Sequence, residues 1–184
     1  MVSLHSLSLA VLLSISIVSF FLIQSHRHFN LLSPKLEQVI TSLEKNYTTV
    51  NHIDTETAAQ WLKRFPNTIV LDIRETEEFA VSHLKNADNV PPKTSMDEVV
   101  STVLKNASSE QKIIVYCSVG VRSAQFAKKL EAAGYNNVYN LKGSLFAWVN
   151  EGRPVYQQDK RVSKVHPFDK KWVQLLLPEY RHIL

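Results

Sequence analysis

Short aliphatic runs alternate along the chain with stretches in which apolar side chains recur every three or four positions. Thr68, Ile69, Val70 and Leu71 form one continuous run, which ends at Asp72. Ile113, Ile114, Val115 and Tyr116 form a second that ends at Cys117, and residues 137–141 form a third. Runs this short without polar alternation suit strands buried on both faces. Between them, residues 55–64 place Ala58, Ala59, Trp61 and Leu62 among polar neighbours. The stretch after Cys117 sets Ala124, Phe126, Ala127, Leu130 and Ala133 against Lys128, Lys129 and Glu131. Both patterns predict amphipathic helices, the second ended by Gly134. Strands alternating with helices predict an α/β domain, an open parallel sheet flanked by helices. Upstream, Pro34 opens a helical pattern through Leu36, Val39, Ile40 and Leu43, read as a helical linker. No internal repeat or low-complexity stretch interrupts the order.

The first 25 residues contain no Lys, Arg, Asp or Glu, and residues 4–23 are apolar apart from His5 and scattered serines. About twenty helical residues span roughly 30 Å, the thickness of a hydrocarbon core. The segment therefore reads as an uncleaved single-pass transmembrane helix. A cleaved signal peptide is the alternative, although the start lacks a basic residue and the exit lacks a clear small-x-small site. Arg27 and Lys35 follow the span, so the positive-inside tendency places the following domain in the cytoplasm. Asn46 and Asn106 each begin a glycosylation tripeptide, which matters only if the domain faces the other way.

Composition narrows the classes. A chain of 184 residues with 45% apolar content builds one ordinary core, and 21% charged residues with few glycines excludes a disordered or collagenous chain. The net charge of +4 is modest, and no nucleic-acid partner is expected. Much of the excess lies after residue 156, where Lys160, Arg161, Lys164, Lys170, Lys171 and Arg181 outnumber Asp159, Asp169 and Glu179. In that tail Pro167 is expected to open a helix with Phe168, Trp172, Leu175 and Leu176 on one side, stopped by Pro178. The stripe is read as packing on the domain, with partner or membrane-surface docking as the alternative. A single cysteine forms no internal disulfide and, with scattered histidines, offers no zinc spacing, so no metal is expected.

Cys117 is therefore either buried filler or reactive, and its surroundings favour reactivity. The segment Cys117, Ser118, Val119, Gly120, Val121, Arg122, Ser123 joins a buried strand to a helix, with Gly120 free to turn the loop's amides inward. Backbone N–H groups, a helix N-terminus and a nearby arginine all favour thiolate over thiol. In open α/β sheets ligands gather outside the carboxyl ends of strands, where both Asp72 and Cys117 fall.

Three ordered blocks of residues resemble the rhodanese-like family from residue 51 to residue 155. The first holds Asp72, Arg74, Glu78, Phe79, His83, Ala87, Asn89 and Pro91; the second is the loop Cys117 to Arg122 with Ser123; the third holds Gly143, Trp148, Gly152, Pro154 and Val155. Ser82, Asn86 and Ser144 stand where the family commonly has glycines, departures expected to touch turns and not the cysteine loop. The resemblance implies that a six-residue loop from cysteine to arginine encloses one sulfur atom, whereas the longer loop of related cell-cycle phosphatases encloses phosphate. Cys117 to Arg122 is six residues. The uncharged interior of Ser118, Val119 and Val121 departs from relatives that prefer thiosulfate.

The organisation expected is an anchor or signal peptide over residues 1–25, a helical linker over 26–50, a rhodanese-like domain over 51–156 and a basic amphipathic tail over 157–184. The function implied is a membrane-tethered sulfurtransferase that passes sulfane sulfur from a small-molecule or protein donor to a thiol acceptor through a Cys117 persulfide, without cofactor. Arg122 is expected to add charge or to brace the loop through a carboxylate. Asp72 and Arg74 are expected to support the loop or shape its entrance, and His83 to satisfy a turn. The competing reading is a non-catalytic module that recruits a partner to the membrane or senses redox state.

Overall fold

A computed structural model describes residues 33–183. The expected membrane span lies outside these residues, and among the described residues no helix is long and apolar enough to cross a membrane.

The centre is a five-stranded parallel sheet in the order β1-β5-β4-β2-β3, with β1 Asn51–Ile53, β2 Ile69–Asp72, β3 Asp88–Asn89, β4 Ile113–Tyr116 and β5 Val138–Leu141. Every residue of the middle strand β4 is buried, which is why its sequence shows no alternation. Strand geometry sends Ile113 and Val115 to one face, where they join Cys117, Phe126, Ala127, Leu130 and Val99 in a common apolar cluster. That face is covered by α5 (Val121–Ala132) and α4 (Met96–Ser101). On the other face Ile114 is in register with Tyr139, and Tyr139 meets Trp61 of α2 (Thr55–Arg64) edge-on at 4.8 Å. Helix α2 touches α6 (Ser144–Asn150), whose residues are all buried.

Two expectations about the flanks change. Pro34–Asn46 is a helix, α1, started by Ser33 accepting the Leu36 N–H, but it is docked on the domain and is no mere linker. Its Leu36 and Leu43 are buried, and Ile40 and Leu43 rest on the backbone of Gly143 and Gly120. A Cβ on Gly143 would lie 2.9 Å from Ile40 Cδ1 and 2.6 Å from Ala147 Cβ, so the close approach depends on glycine.

The expected tail helix is also absent. After a hairpin of β6 (Val155–Gln157) and β7 (Lys160–Val162), the chain runs back over the domain with two short 3-10 turns, Val173–Leu175 and Pro178–Tyr180. The chain at Phe168 takes φ +68°, a left-handed conformation that a right-handed helix beginning at Pro167 does not contain. The later half of the apolar stripe nevertheless packs inward, with Leu175 and Leu176 buried beside Val165, whereas Phe168 stays exposed. Asn150 clasps the returning segment, donating to Leu175 O at 2.8 Å and accepting from Leu177 N at 3.0 Å.

Candidate active site

The aligned carboxyl ends of β2 and β4 create the site. Asp72 is in register with Tyr116, and Ile73 N donates to Tyr116 O at 2.8 Å, so the chain leaves both strands at one level. Cys117 follows at once, 1% exposed, and Gly120 at φ +108° turns the loop into α5.

Loop carbonyls are occupied from outside. Leu145 N and Phe146 N of α6 donate to the carbonyls of Cys117 and Ser118 at 3.1 and 3.0 Å, and Asn140 Nδ2 donates to Gly120 O at 3.3 Å. Across a trans peptide the N–H opposes the C=O, so the amides of Ser118, Val119 and Val121 turn away from these partners. The direct backbone donor to the sulfur is narrower than the whole loop: Gly120 N lies 3.2 Å from Cys117 Sγ. Burial pushes the Cys117 thiol up, but the Arg122 charge and hydrogen bonds from Ser123 and Gly120 outweigh it, holding the thiol below its ordinary value. The Ser123 hydroxyl is buried with no hydrogen-bond partner among the described residues, so it is available to a charged sulfur at Cys117.

Ser144 corrects an expectation from sequence. It stands at φ +50°, a conformation easy for glycine, yet its hydroxyl accepts the Cys117 N–H at 3.1 Å and donates to Leu141 O at 3.2 Å. This departure from the family pattern therefore does touch the cysteine loop. Its signal, a hydroxyl at a left-handed turn, has meaning only once the turn is known to abut Cys117.

Arg122 is held by Glu78, whose role the sequence does not disclose. Its Nη1 lies 2.7 Å from Glu78 Oε2 and its Nη2 2.9 Å from Glu78 Oε1, while Nη2 also donates to Ser118 Oγ at 2.9 Å. Ser118 in turn donates to Glu78 Oε1 at 3.0 Å. Glu78 sits on α3 (Thr76–Val81) and closes a capping box with Glu75. The Glu78 carboxyl is driven up by burial, yet Arg122 holds it below the usual carboxylate range.

Asp72 and Arg74 lie beneath this network and are fully buried. Arg74 Nη2 is 2.6 Å from Asp72 Oδ2 and 2.6 Å from Ser82 O, and its Nη1 donates to Glu78 O at 3.3 Å. The pair thus fixes α3, and through it Glu78, without facing the cavity. His83 stacks on Phe79 and places Nδ1 2.9 Å from Leu84 O, away from the thiol's own partners.

A cavity of about 200 Å³ opens over the thiol, lined by Cys117, Ser118, Val119, Val121, Arg122, Phe168 and Trp172. A larger one of about 390 Å³, between α2 and the Trp148–Tyr156 region, lies apart from Cys117, which is not in its lining. Among the described residues no group of three or more potential ligands is gathered to hold a metal.

A family model for the rhodanese-like domain matches residues 54–151. The chain belongs to the rhodanese-like domain family. Its relatives differ in what they are named for. A sulfurtransferase of Allochromatium vinosum is 29% identical over 106 residues, covering 58% of this chain and 94% of that protein. A tRNA uridine(34) hydroxylase of Escherichia coli is 24% identical over 107 residues, which is 31% of its own length. Among solved structures, thiosulfate sulfurtransferase from Pseudomonas aeruginosa superposes with a TM-score of 0.54 at 21% identity, covering 65% of this chain and 22% of that one. The rhodanese-like domain of an Anabaena protein gives 0.50 at 24% identity, covering 57% and 77%. These likenesses establish the α/β fold with its parallel sheet flanked by helices.

Proposed function

We propose that this chain is a sulfurtransferase that carries sulfur as a persulfide on Cys117. The observation behind this reading is one thiol with an amide at 3.2 Å, an arginine beside it and a depressed pKa despite full burial. In the first displacement the Cys117 thiolate attacks the outer sulfur of a donor. An Sγ–S bond forms, the bond between that sulfur and the rest of the donor breaks, and the donor remnant leaves with the electron pair. In the second, an acceptor thiolate attacks the outer sulfur and Cys117 departs as thiolate. The Gly120 amide and the N-terminus of α5 stabilise the negative charge at both stages. The name of the Allochromatium vinosum relative supports this reading.

The test is an intact-mass spectrum after exposure to a sulfane donor. A single added sulfur, about 32 Da, that is lost on reduction and absent in Cys117→Ser supports persulfide transfer. No mass gain with any donor moves the assignment to a non-catalytic module.

The uncharged residues 4–23 support tethering of this domain to a membrane as a single-pass protein, with the domain in the cytoplasm. Full-length protein then stays with membranes through alkaline carbonate washing. Release by salt alone points instead to peripheral attachment through the basic tail.

A further inference from the structure

The cavity over Cys117 is completed by residues that lie beyond the segment matched by the family model, 54–151. Phe168 and Trp172 come from the returning C-terminal segment and line the cavity together with Val119 and Val121. We propose that this aromatic wall makes the site selective for sulfane sulfur carried on an apolar organic group, an alkyl or aryl persulfide, over small inorganic dianions such as thiosulfate. The inference rests on the sulfur-transfer reading of Cys117.

Charge is the first argument. Among the described residues Arg122 is the one cation lining the cavity, and Glu78 already engages it through two hydrogen bonds. Phe168 covers what remains, its ring centroid 4.6 Å from the guanidinium carbon. A dianion entering here surrenders hydration and meets no unpaired positive side chain in the lining. An apolar group loses nothing comparable, because Val119, Val121, Phe168 and Trp172 offer contact surface on several sides.

Construction is the second. Phe168 holds a left-handed backbone at φ +68°, unfavourable for a bulky side chain, and the surrounding chain over-determines it. Its N–H donates to His166 Nδ1 at 3.1 Å, and Asp169 Oδ1 accepts from Lys171 N and Trp172 N at 2.8 and 3.0 Å. Buried Val165, Leu175 and Leu176 fasten the segment on both sides. Yet Phe168 is left 40% exposed, so the strain presents apolar surface at the mouth instead of burying it.

With a persulfide donor R–S–SH, the Cys117 thiolate attacks the terminal sulfur, the Sγ–S bond forms and the internal S–S bond breaks. The RS⁻ leaving group keeps the electron pair and takes the donor proton, giving RSH and Cys117–S–S⁻. The R group then occupies the space beside Phe168 and Trp172.

The experiment compares full-length wild type with Phe168→Ala, Trp172→Ala and Phe168→Leu. Sulfur loading is followed by mass with benzyl persulfide and with thiosulfate, and alkylation of Cys117 with N-benzyl iodoacetamide and with iodoacetate. Wild type is expected to favour the benzyl reagent of each pair beyond its preference for a free cysteine thiol. Either alanine variant is expected to lower that preference about tenfold, the usual worth of an apolar contact in a pocket, with Phe168→Leu restoring part of it. Thermal midpoints separate selectivity from misfolding, and a variant that fails to fold leaves Phe168→Leu to decide. Unchanged preference in folded variants, or a wild-type preference for thiosulfate, overturns the wall. Failure of both donors to load the thiol ends the sulfur-transfer reading, and the alkylation pair then decides the wall by itself.

Discussion

Arg122 and Glu78 meet edge to edge, with Nη1 to Oε2 at 2.7 Å and Nη2 to Oε1 at 2.9 Å, and this pairing joins the cysteine loop to α3. The arrangement serves two ends at once. It leaves Arg122 close enough to Cys117 to favour the thiolate, and it fixes the guanidinium so that the loop keeps one shape.

Replacing Glu78 with Gln removes the counter-charge of a largely buried arginine and is expected to cost roughly 3 kcal/mol at neutral pH. The folded-state pKa of Glu78 lies below its unfolded value, so its contribution is present above the ordinary carboxylate range and is lost as pH falls through the folded value. Urea unfolding of wild type and E78Q should differ most near pH 7 and converge in acid. Equal stabilities at pH 7 would show that the pair is not structural.

For Cys117, iodoacetamide rates from pH 5 to 10 are expected to give a midpoint below the free-thiol value of about 8.5. Arg122→Gln should raise it, since the charge is the largest influence opposing burial, and Ser123→Ala should raise it less. A wild-type midpoint at or above the free-thiol value contradicts the activated thiolate.

Gly143→Ala combines a left-handed backbone at φ +62° with a Cβ 2.6 Å from Ala147 Cβ. Overpacking of that kind typically costs about 1–3 kcal/mol, and the left-handed backbone adds about 1 more. The same change displaces Ile40 of α1, so thermal unfolding should fall by several degrees and sulfur loading should slow. A fully stable G143A protein would mean that α1 yields without consequence.

His166 accepts the Phe168 N–H through Nδ1, a role that only the neutral ring can fill. Burial holds its pKa below the usual histidine value, against the pull of Glu78, so the contact is intact at neutral pH. The contribution is therefore lost as pH falls through that lowered value. His166→Asn, whose Oδ1 can accept from the residue two ahead, should keep the aromatic preference of the site; His166→Leu should lose it. Identical donor preference in the two variants counts against this brace.

How far each feature could be read depends on its range along the chain. The parallel α/β architecture was legible because Ile113, Ile114, Val115 and Tyr116 are buried on both faces and say so locally, as do the periodic residues of α5. Strands β1 and β3, three and two residues long, are too short to carry a pattern, and only their pairing defines them. The membership of the chain in its family was likewise legible, since ordered blocks around Asp72, Cys117 and Trp148 survive without any knowledge of contacts.

By itself, the sequence determined the sheet's central strands, the helix after Cys117 and the position of that thiol between them, because strand and helix periodicity are local properties. Tertiary structure alone decided which carboxylate holds Arg122, that the Ser144 hydroxyl reaches the Cys117 amide, and that Phe168 and Trp172 line the thiol's cavity. Glu78 lies 44 positions from Arg122 and Ser144 lies 27 from Cys117. The stripe of Phe168, Trp172, Leu175 and Leu176 satisfied a helical period, yet the chain gained more from the Asn150 clasp and the burial of Val165, Leu175 and Leu176 than a short helix could supply. Contacts between distant segments prevail over local periodicity there because apolar burial rewards whatever path covers the domain, and a periodic pattern does not specify that path.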